Sequence, residues 1–405
     1  MSRTGKKRLV AAFMLVLLLN VSPLSVLEKR VVGAAPKADS LPEISSHAAV
    51  LMESSQGKIF FSQNGAERLC PASLTKIMTL ILAHEALQQG KVAWSEEVTV
   101  SQKAWETGGS QMFLEIGQKV PFNILLTGIA TISANDACVA ISEHLYDSEA
   151  VFVQEMNKKA QELGLKNTMF QNSSGLPHPN HYSSAEDMAR LAHYMLRNFP
   201  ESLEMHSQTE FTFNDITQYN RNPLLGRYNG ADGLKTGHTD EAGHCLIGTA
   251  EQRGLRFITV IMDASDPEER FRDTETLLNY AFRNYALHQI FQAGEVIATA
   301  NVKSGKERTV DLHLTKPLTA VIPYDRQADL DIQFEIPENT PAPVQKGDSL
   351  GSVKVMLDGQ ALARAPLQAA ENVKKAGIFV RFFRLIGGLP GGLWRLITKT
   401  WHNIF

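Results

Sequence analysis

Ser73, Lys76, Ser133, Asn135, Lys235 and Thr236 fall in three short runs, Ser73-Leu-Thr-Lys76, Ser133-Ala-Asn135 and Lys235-Thr236-Gly237. Their side chains can supply a nucleophile, a base, a proton relay and groups that orient a substrate. A serine hydroxyl is a weak nucleophile at its free pKa and needs an adjacent base. Lys76 stands three residues on, one helical turn away, where the two side chains can meet. Its amine can serve as the base once burial or the neighbouring cation Lys235 lowers its pKa. Ser133 can pass the proton toward a leaving amine, and Asn135 carries an amide that can orient Lys76 and hydrogen-bond a substrate carbonyl. Gly237 lets a substrate backbone come close. Backbone N–H groups of Ser73 and His238 can form an oxyanion hole. The chemistry is acyl transfer through a serine ester.

Each run alone is weak, because Ser55-Gln-Gly-Lys58 and Ser62-Gln-Asn64 fit the first two patterns as well. Gly57 lies between the alternating runs Ala49–Met52 and Lys58–Phe61, so those matches sit on a β-hairpin, where a serine and a lysine need not face each other. Ser73 instead opens the apolar-periodic stretch Ile77, Leu80, Ile81, Ala83 and Leu87, which places it at a helix N-terminus. The third run follows Gly233 and precedes the apolar Cys245–Ala250, which predicts a strand entering a hairpin.

Pro71-Ala-Ser-Leu-Thr-Lys76, Ser133-Ala-Asn-Asp-Ala-Cys138 and Asp232-Gly-Leu-Lys-Thr-Gly-His-Thr-Asp240 resemble the low-molecular-mass penicillin-binding proteins that are serine-type D-alanyl-D-alanine carboxypeptidases. Gly108-Gly-Ser-Gln-Met112 and Leu163-Gly-Leu-Lys-Asn-Thr168 do so too. The resemblance is dense over residues 40 to 290 and looser beyond. It implies an α/β (α+β) transpeptidase, β-lactamase-like domain with a five-stranded antiparallel sheet and a helical subdomain. Carried over position by position, Ser73 is the acylated serine, Lys76 the base and Ser133 the third catalytic group. Asn135, Lys235, Thr236, Gly237 and His238 then bind substrate, and Arg270 falls where the family has an arginine that fixes the third run and the terminal carboxylate.

The implied substrate is the peptidoglycan pentapeptide, which loses its terminal D-alanine, and β-lactam antibiotics are the implied inhibitors. A D,D-endopeptidase of cross-links would use the same groups, and a non-catalytic penicillin-binding sensor would bind without turnover. Class A β-lactamases deacylate with a glutamate that activates water. The nearest candidate here, Glu186, reads instead as an acid in the first turn of a helix capped by Ser183 or Ser184.

Arg3, Lys6, Lys7 and Arg8 precede the apolar run Leu9–Leu19, the n- and h-regions of a secretory signal within residues 1–35. Residues 372–405 hold six bases and no acid. There Leu393, Leu396, Ile397, Trp401 and Ile404 share one helical face and Arg395, Lys399 and His402 the other, as in helices that lie in a membrane interface. The expected place is therefore the outer face of a bacterial cytoplasmic membrane, held peripherally by this C-terminal amphipathic helix.

The whole chain has 40 basic and 43 acidic residues, and removing both ends leaves a body of net charge −14. An acidic body argues against a nucleic-acid partner. A catalytic unit over 40–290 is followed by short alternating runs, Val296–Val302, Thr309–Leu314, Leu330–Ile336 and Ser352–Leu357, that predict a small all-β sandwich over 291–371. Cys70, Cys138 and Cys245 read as buried small apolar residues rather than a disulfide framework. His178 and His181 lack the further ligands of a zinc site. No metal and no cofactor is expected.

Overall fold

The computed structural model of the protein describes residues 40–378. The signal-like leader, and the C-terminal helix over residues 393–404, lie outside them.

Strands β1 (Ala48–Glu53) and β2 (Lys58–Gln63) form the expected hairpin, turned through Gly57 at φ 68°. A 3-10 turn, Ala72–Thr75, then runs into α1 (Lys76–Gln88). The helical subdomain follows as β3 (Glu97–Thr99), α2 (Gln102–Glu106), β4 (Lys119–Pro121), α3 (Phe122–Ile132), α4 (Asn135–Tyr146), α5 (Glu149–Glu162), α6 (Ala185–Asn198) and α7 (Leu203–His206). After the hairpin β5 (Glu210–Phe213) and β6 (Ile216–Tyr219), the chain returns to the sheet as β7 (Ala231–Thr239), β8 (Gly243–Gln252) and β9 (Leu255–Ala264), and α8 (Pro267–Asn284) closes this part.

The sheet has five strands in the order β2-β1-β9-β8-β7, every pair antiparallel. Its two faces are separated by strand alternation. Val50 and Met52 of β1 join the core shared with α1 and α6, while Ala49 and Leu51 join Leu277, Leu278 and Ala281 of α8. Both faces are covered and β7 is left as an edge.

Helix α1 departs from the amphipathic pattern expected of it. Every residue from Lys76 to His84 is buried, because α1 runs through the middle of the subdomain against α3, α4, α5 and α6. A helix apolar all round is an interior helix. Helix α8 is longer than the Thr274–Phe282 stretch that its apolar face predicts. Asp266 caps it by accepting from the Glu269 N–H, and Pro267 occupies the first turn.

The remaining strands are β10 (Tyr285–Phe291), β11 (Val296–Lys303), β12 (Thr309–His313), β13 (Leu318–Pro323), β14 (Asp331–Glu335), β15 (Thr340–Pro341), β16 (Ser349–Leu357) and β17 (Gln360–Ala369). They make a six-stranded sheet, β14-β16-β17-β12-β11-β15, and a β10-β13 pair, around a core that includes Leu312, Ile322, Val353, Val355 and Leu367. This is the small all-β domain that the alternating runs predict. Its last pairings reach Val373, opposite Val344, and Lys375, opposite Gly305.

Candidate active site

Ser73 sits in the 3-10 turn rather than in α1 itself, and Lys76 is the first residue of the helix. Lys76 Nζ lies 2.9 Å from Ser73 Oγ and donates to the Ser174 carbonyl at 2.6 Å. The lysine is fully buried, and burial lowers its pKa to about 8, with the Arg221 charge pressing the same way. Burial is thus the first cause at Lys76. The Lys76 charge acts in turn on Lys235, which is pushed well below its usual value by burial first and by Lys76 second. A neutral Lys76 can accept the Ser73 proton while one of its N–H bonds stays on Ser174.

A loop absent from the motif pattern aims that lysine. Asn172 Oδ1 accepts from the N–H groups of Ser174, Gly175 and Leu176, at 3.2, 2.7 and 3.1 Å. Ser173 is tied from both sides: its carbonyl accepts from Thr79 Oγ1 at 2.6 Å, and its hydroxyl donates to Glu149 Oε1 at 2.7 Å. Gly175 has φ +85°, and a Cβ there would lie 1.9 Å from the Ala72 carbonyl. The loop therefore rests directly on the turn that carries Ser73, and only glycine permits it.

Ser133 ends α3 in the left-handed region, at φ 66° and ψ 35°. Ala72, just before Ser73, also has a positive φ, 45°. Both serine-bearing turns thus hold a conformation that costs a non-glycine residue about 1–3 kcal/mol. Ser133 Oγ is buried without a hydrogen-bond partner, a state that folded proteins rarely leave unexplained. Asn135 differs from expectation. Its Nδ2 donates to the Gly108 carbonyl at 2.8 Å and its backbone N–H to Ser110, so the orienting of Lys76 falls to Ser174. Next to it, Asp136 accepts from the N–H groups of Met112 and Leu114, and burial pushes its carboxyl pKa up. Asn135 and Asp136 together fix the loop from Gly108 to Leu114 beside the cleft.

The third run lies on β7 as expected. Gly237 faces the turn that carries Ser73, where a Cβ would lie 3.1 Å from the Pro71 carbonyl and 3.3 Å from the Ser73 nitrogen. Lys235 and Thr236 are buried, and Lys235 Nζ donates to the Thr236 carbonyl at 2.9 Å. His238 is exposed and its ring stacks on His244 with centroids 4.1 Å apart. Arg270 reaches across from α8 to donate through Nη1 to the carbonyls of Gly237 and Cys245, at 3.0 and 3.3 Å. It clamps β7 to β8 directly behind the glycine.

Glu186 lies elsewhere: it accepts from Ser62 Oγ and pairs with Arg190, in the first turn of a helix capped by Ser184. Cys138 and Cys245 are buried thiols whose pKa burial raises to about 12, whereas Cys70 is partly exposed. His181 accepts from the Gln171 N–H through Nδ1, which leaves Nε2–H to donate to Thr75 Oγ1, at 2.9 Å. Burial lowers the His181 pKa to about 4, so the ring is neutral. Four contributors escape the motif pattern: Arg221, Asp136, Glu149 and the Asn172–Gly175 loop. Of these, only Asn172-Ser-Ser-Gly175 carries a local signal, an Asx turn closing on a glycine.

A family model described as D-alanyl-D-alanine carboxypeptidase matches residues 35–266, and one described as penicillin-binding protein 5, C-terminal domain, matches residues 285–375. The D-alanyl-D-alanine carboxypeptidase DacF of Bacillus subtilis is 40% identical over 347 residues, 84% of this chain and 89% of the relative. The crystal structure of penicillin-binding protein 5 from Haemophilus influenzae superposes with a TM-score of 0.74 at 36% identity, covering 83% of this chain and all of that one. Penicillin-binding protein D2 of Listeria monocytogenes, solved in its ampicillin-bound form, gives 0.55 at 33% identity over 60% of this chain and all of that one. Ser73 beside the buried Lys76, the orphaned second serine and the clamped glycine strand are set in the same fold as these proteins, and the chain belongs to the D-alanyl-D-alanine carboxypeptidase family.

Proposed function

We propose that the protein removes the terminal D-alanine of a peptidoglycan pentapeptide through an acyl-enzyme on Ser73, with Lys76 as base. The observation that carries this reading is the buried Lys76 amine 2.9 Å from Ser73 Oγ, anchored on the Ser174 carbonyl. Neutral Lys76 takes the hydroxyl proton as Oγ bonds to the penultimate carbonyl carbon. The backbone N–H groups of Ser73 and His238 receive the oxyanion. The C–N bond then breaks, and the proton passes from Lys76 through Ser133 Oγ to the leaving amine, which departs as free D-alanine. Water attacks the ester with Lys76 again as base, which restores Ser73 and frees the shortened peptide. Lys235 and Thr236 hold the terminal carboxylate on a strand that Arg270 fixes, and Asn135 lines the opposite wall.

Penicillin enters the same steps, but its leaving nitrogen stays tethered after the ring opens, so water reaches the ester slowly. The Ser73→Ala variant should release no D-alanine from a pentapeptide ending in D-Ala-D-Ala. Release at the wild-type rate would remove Ser73 from the chemistry.

The same reading divides the chain into a catalytic unit over 40–290, with β10 pairing onward into the β module over 291–371, and places the enzyme outside the cytoplasmic membrane. The basic leader supports export, and the basic, tryptophan-bearing C-terminus supports peripheral attachment.

A further inference from the structure

β7 is an edge strand of the sheet, yet part of that edge is already occupied. Carbonyls two residues apart on a strand point the same way. The Leu234 carbonyl accepts from His206 Nδ1–H at 2.8 Å, and the Thr236 carbonyl accepts from Lys235 Nζ at 2.9 Å, so both stand on the side away from β8. Gly237, paired with Cys245 of β8, instead turns its carbonyl to Arg270, which also donates to the Cys245 carbonyl. His238 is the next residue of β7 that faces outward.

His206 ends α7 and is 1% exposed. Its Nδ1 carries the proton, because a carbonyl only accepts. Nε2, on the other side of the ring, is buried without a partner. The imidazole therefore gives its one N–H bond to β7. Helix α7 lies against the strand just before that bond, since a Cβ at Gly233 would lie 3.5 Å from His206 Cβ and 3.6 Å from Leu203 Cδ2. The helix is itself pinned: Thr131 Oγ1 of α3 donates to the Met205 carbonyl at 3.1 Å, and Asn220 Nδ2 to the His206 carbonyl at 3.2 Å. From Gly233 to Leu234 the edge is thus covered, one of the ways in which folded proteins protect an unpaired strand. The open part begins at Thr236.

An extended peptide can join such an edge as a further strand. With its scissile carbonyl at Ser73 Oγ and the His238 N–H, it has room for one residue on the leaving side. That residue lies beside Thr236, where Lys235 Nζ stands on the same edge. A second residue would have to pair at Leu234, whose carbonyl His206 already holds. We propose that His206 is a specificity-determining residue, which closes the β7 edge at Leu234 and limits the leaving group to a single amino acid. This role rests on the carboxypeptidase reading, and it accounts for release of a terminal residue rather than a cut inside a cross-link.

The test follows cleavage of N-acetyl-L-lysyl-D-alanyl-D-alanine and of the same peptide extended by a C-terminal glycine, whose leaving group is D-alanylglycine. Wild type should prefer the shorter peptide by about thirtyfold in kcat/KM, because the added peptide group is buried against His206 without a partner. His206→Ala frees the Leu234 carbonyl and should lose most of that preference. His206→Asn, whose Nδ2–H takes the place of Nδ1–H, should keep it. Each ratio is read within one variant, so a general loss of activity cancels. If His206→Ala does not fold, His206→Ser, too short to reach Leu234, takes its place. Equal rates on the two peptides in wild type, a preference unchanged in His206→Ala, or one lost in His206→Asn would overturn the role of His206 while leaving the carboxypeptidase reading in place. No D-alanine from the shorter peptide, with penicillin still acylating wild type, would instead overturn that reading and the role of His206 with it.

Discussion

Lys76 can act as a base because the fold makes its charged form expensive. Desolvation is the first cause of its lowered pKa, and the one carbonyl that accepts from it, Ser174, satisfies a neutral amine as well as a cation. With the pKa at about 8, the neutral fraction rises with pH, so the rate of penicillin acylation should climb about tenfold between pH 7 and pH 9 and then level. A stopped-flow profile that is flat over this range, or still rising at pH 10, would contradict the assignment. The pairing of Lys76 with Ser73 was legible in Ser73-Leu-Thr-Lys76, since a three-residue spacing at a helix start already brings the two side chains together. The residue that aims it was not. Ser174 acts through its carbonyl, and a backbone group leaves no mark on residue type. Arg221 is likewise a surface arginine by sequence, and only the folded chain brings its charge against the two lysines.

Among the elements, the loop from Asn172 to Leu176 does the positioning, and its glycine separates a steric claim from a conformational one. Gly175 and Gly164 have similar positive φ values, 85° and 68°, but a Cβ at Gly175 would strike the Ala72 carbonyl whereas nothing lies within 4 Å at Gly164. Both alanine variants should therefore lose about 1–2 kcal/mol of stability from the left-handed backbone. Only Gly175→Ala should also lose penicillin acylation, by tenfold or more, because the loop or the nucleophile's turn must move. Wild-type acylation in a folded Gly175→Ala would show that the contact is slack. The strands that carry strong alternation, such as β11 and β16, were readable from the chain, whereas β13 and β17 were not. Leu318-Thr-Ala-Val-Ile-Pro323 is a short apolar run that could belong to either kind of element, and Gln360–Ala369 is rich in alanine with Pro366 inside it, a composition that disfavours strands. Both form because their neighbours in the β module supply partners.

Over the whole molecule, an acidic body of net charge −14 stands between two basic ends. None of the described helices is long and apolar enough to cross a membrane. The proposed attachment is through the segment after the β module. Deleting residues 377–405 leaves the module's last contacts in place, since the Ala376 N–H still donates to the Ser304 carbonyl. The truncated protein should leave the membrane fraction and keep its rate on soluble peptides. If it still sediments with membranes, the attachment lies at the other end. The five-stranded sheet was implied by the resemblance that motifs spread over 165 positions carry, from Ser73 to Gly237. The way the sheet's strands are ordered was not, because pairing between β1 and β9 joins segments some 200 residues apart that carry no shared pattern.

The most direct test of the account is peptide mapping by mass spectrometry after incubation with penicillin, repeated as the adduct decays. The account predicts a long-lived penicilloyl ester on the peptide that contains Ser73, absent from Ser73→Ala. An adduct on any other residue, or one that hydrolyses within a few turnovers, would contradict it.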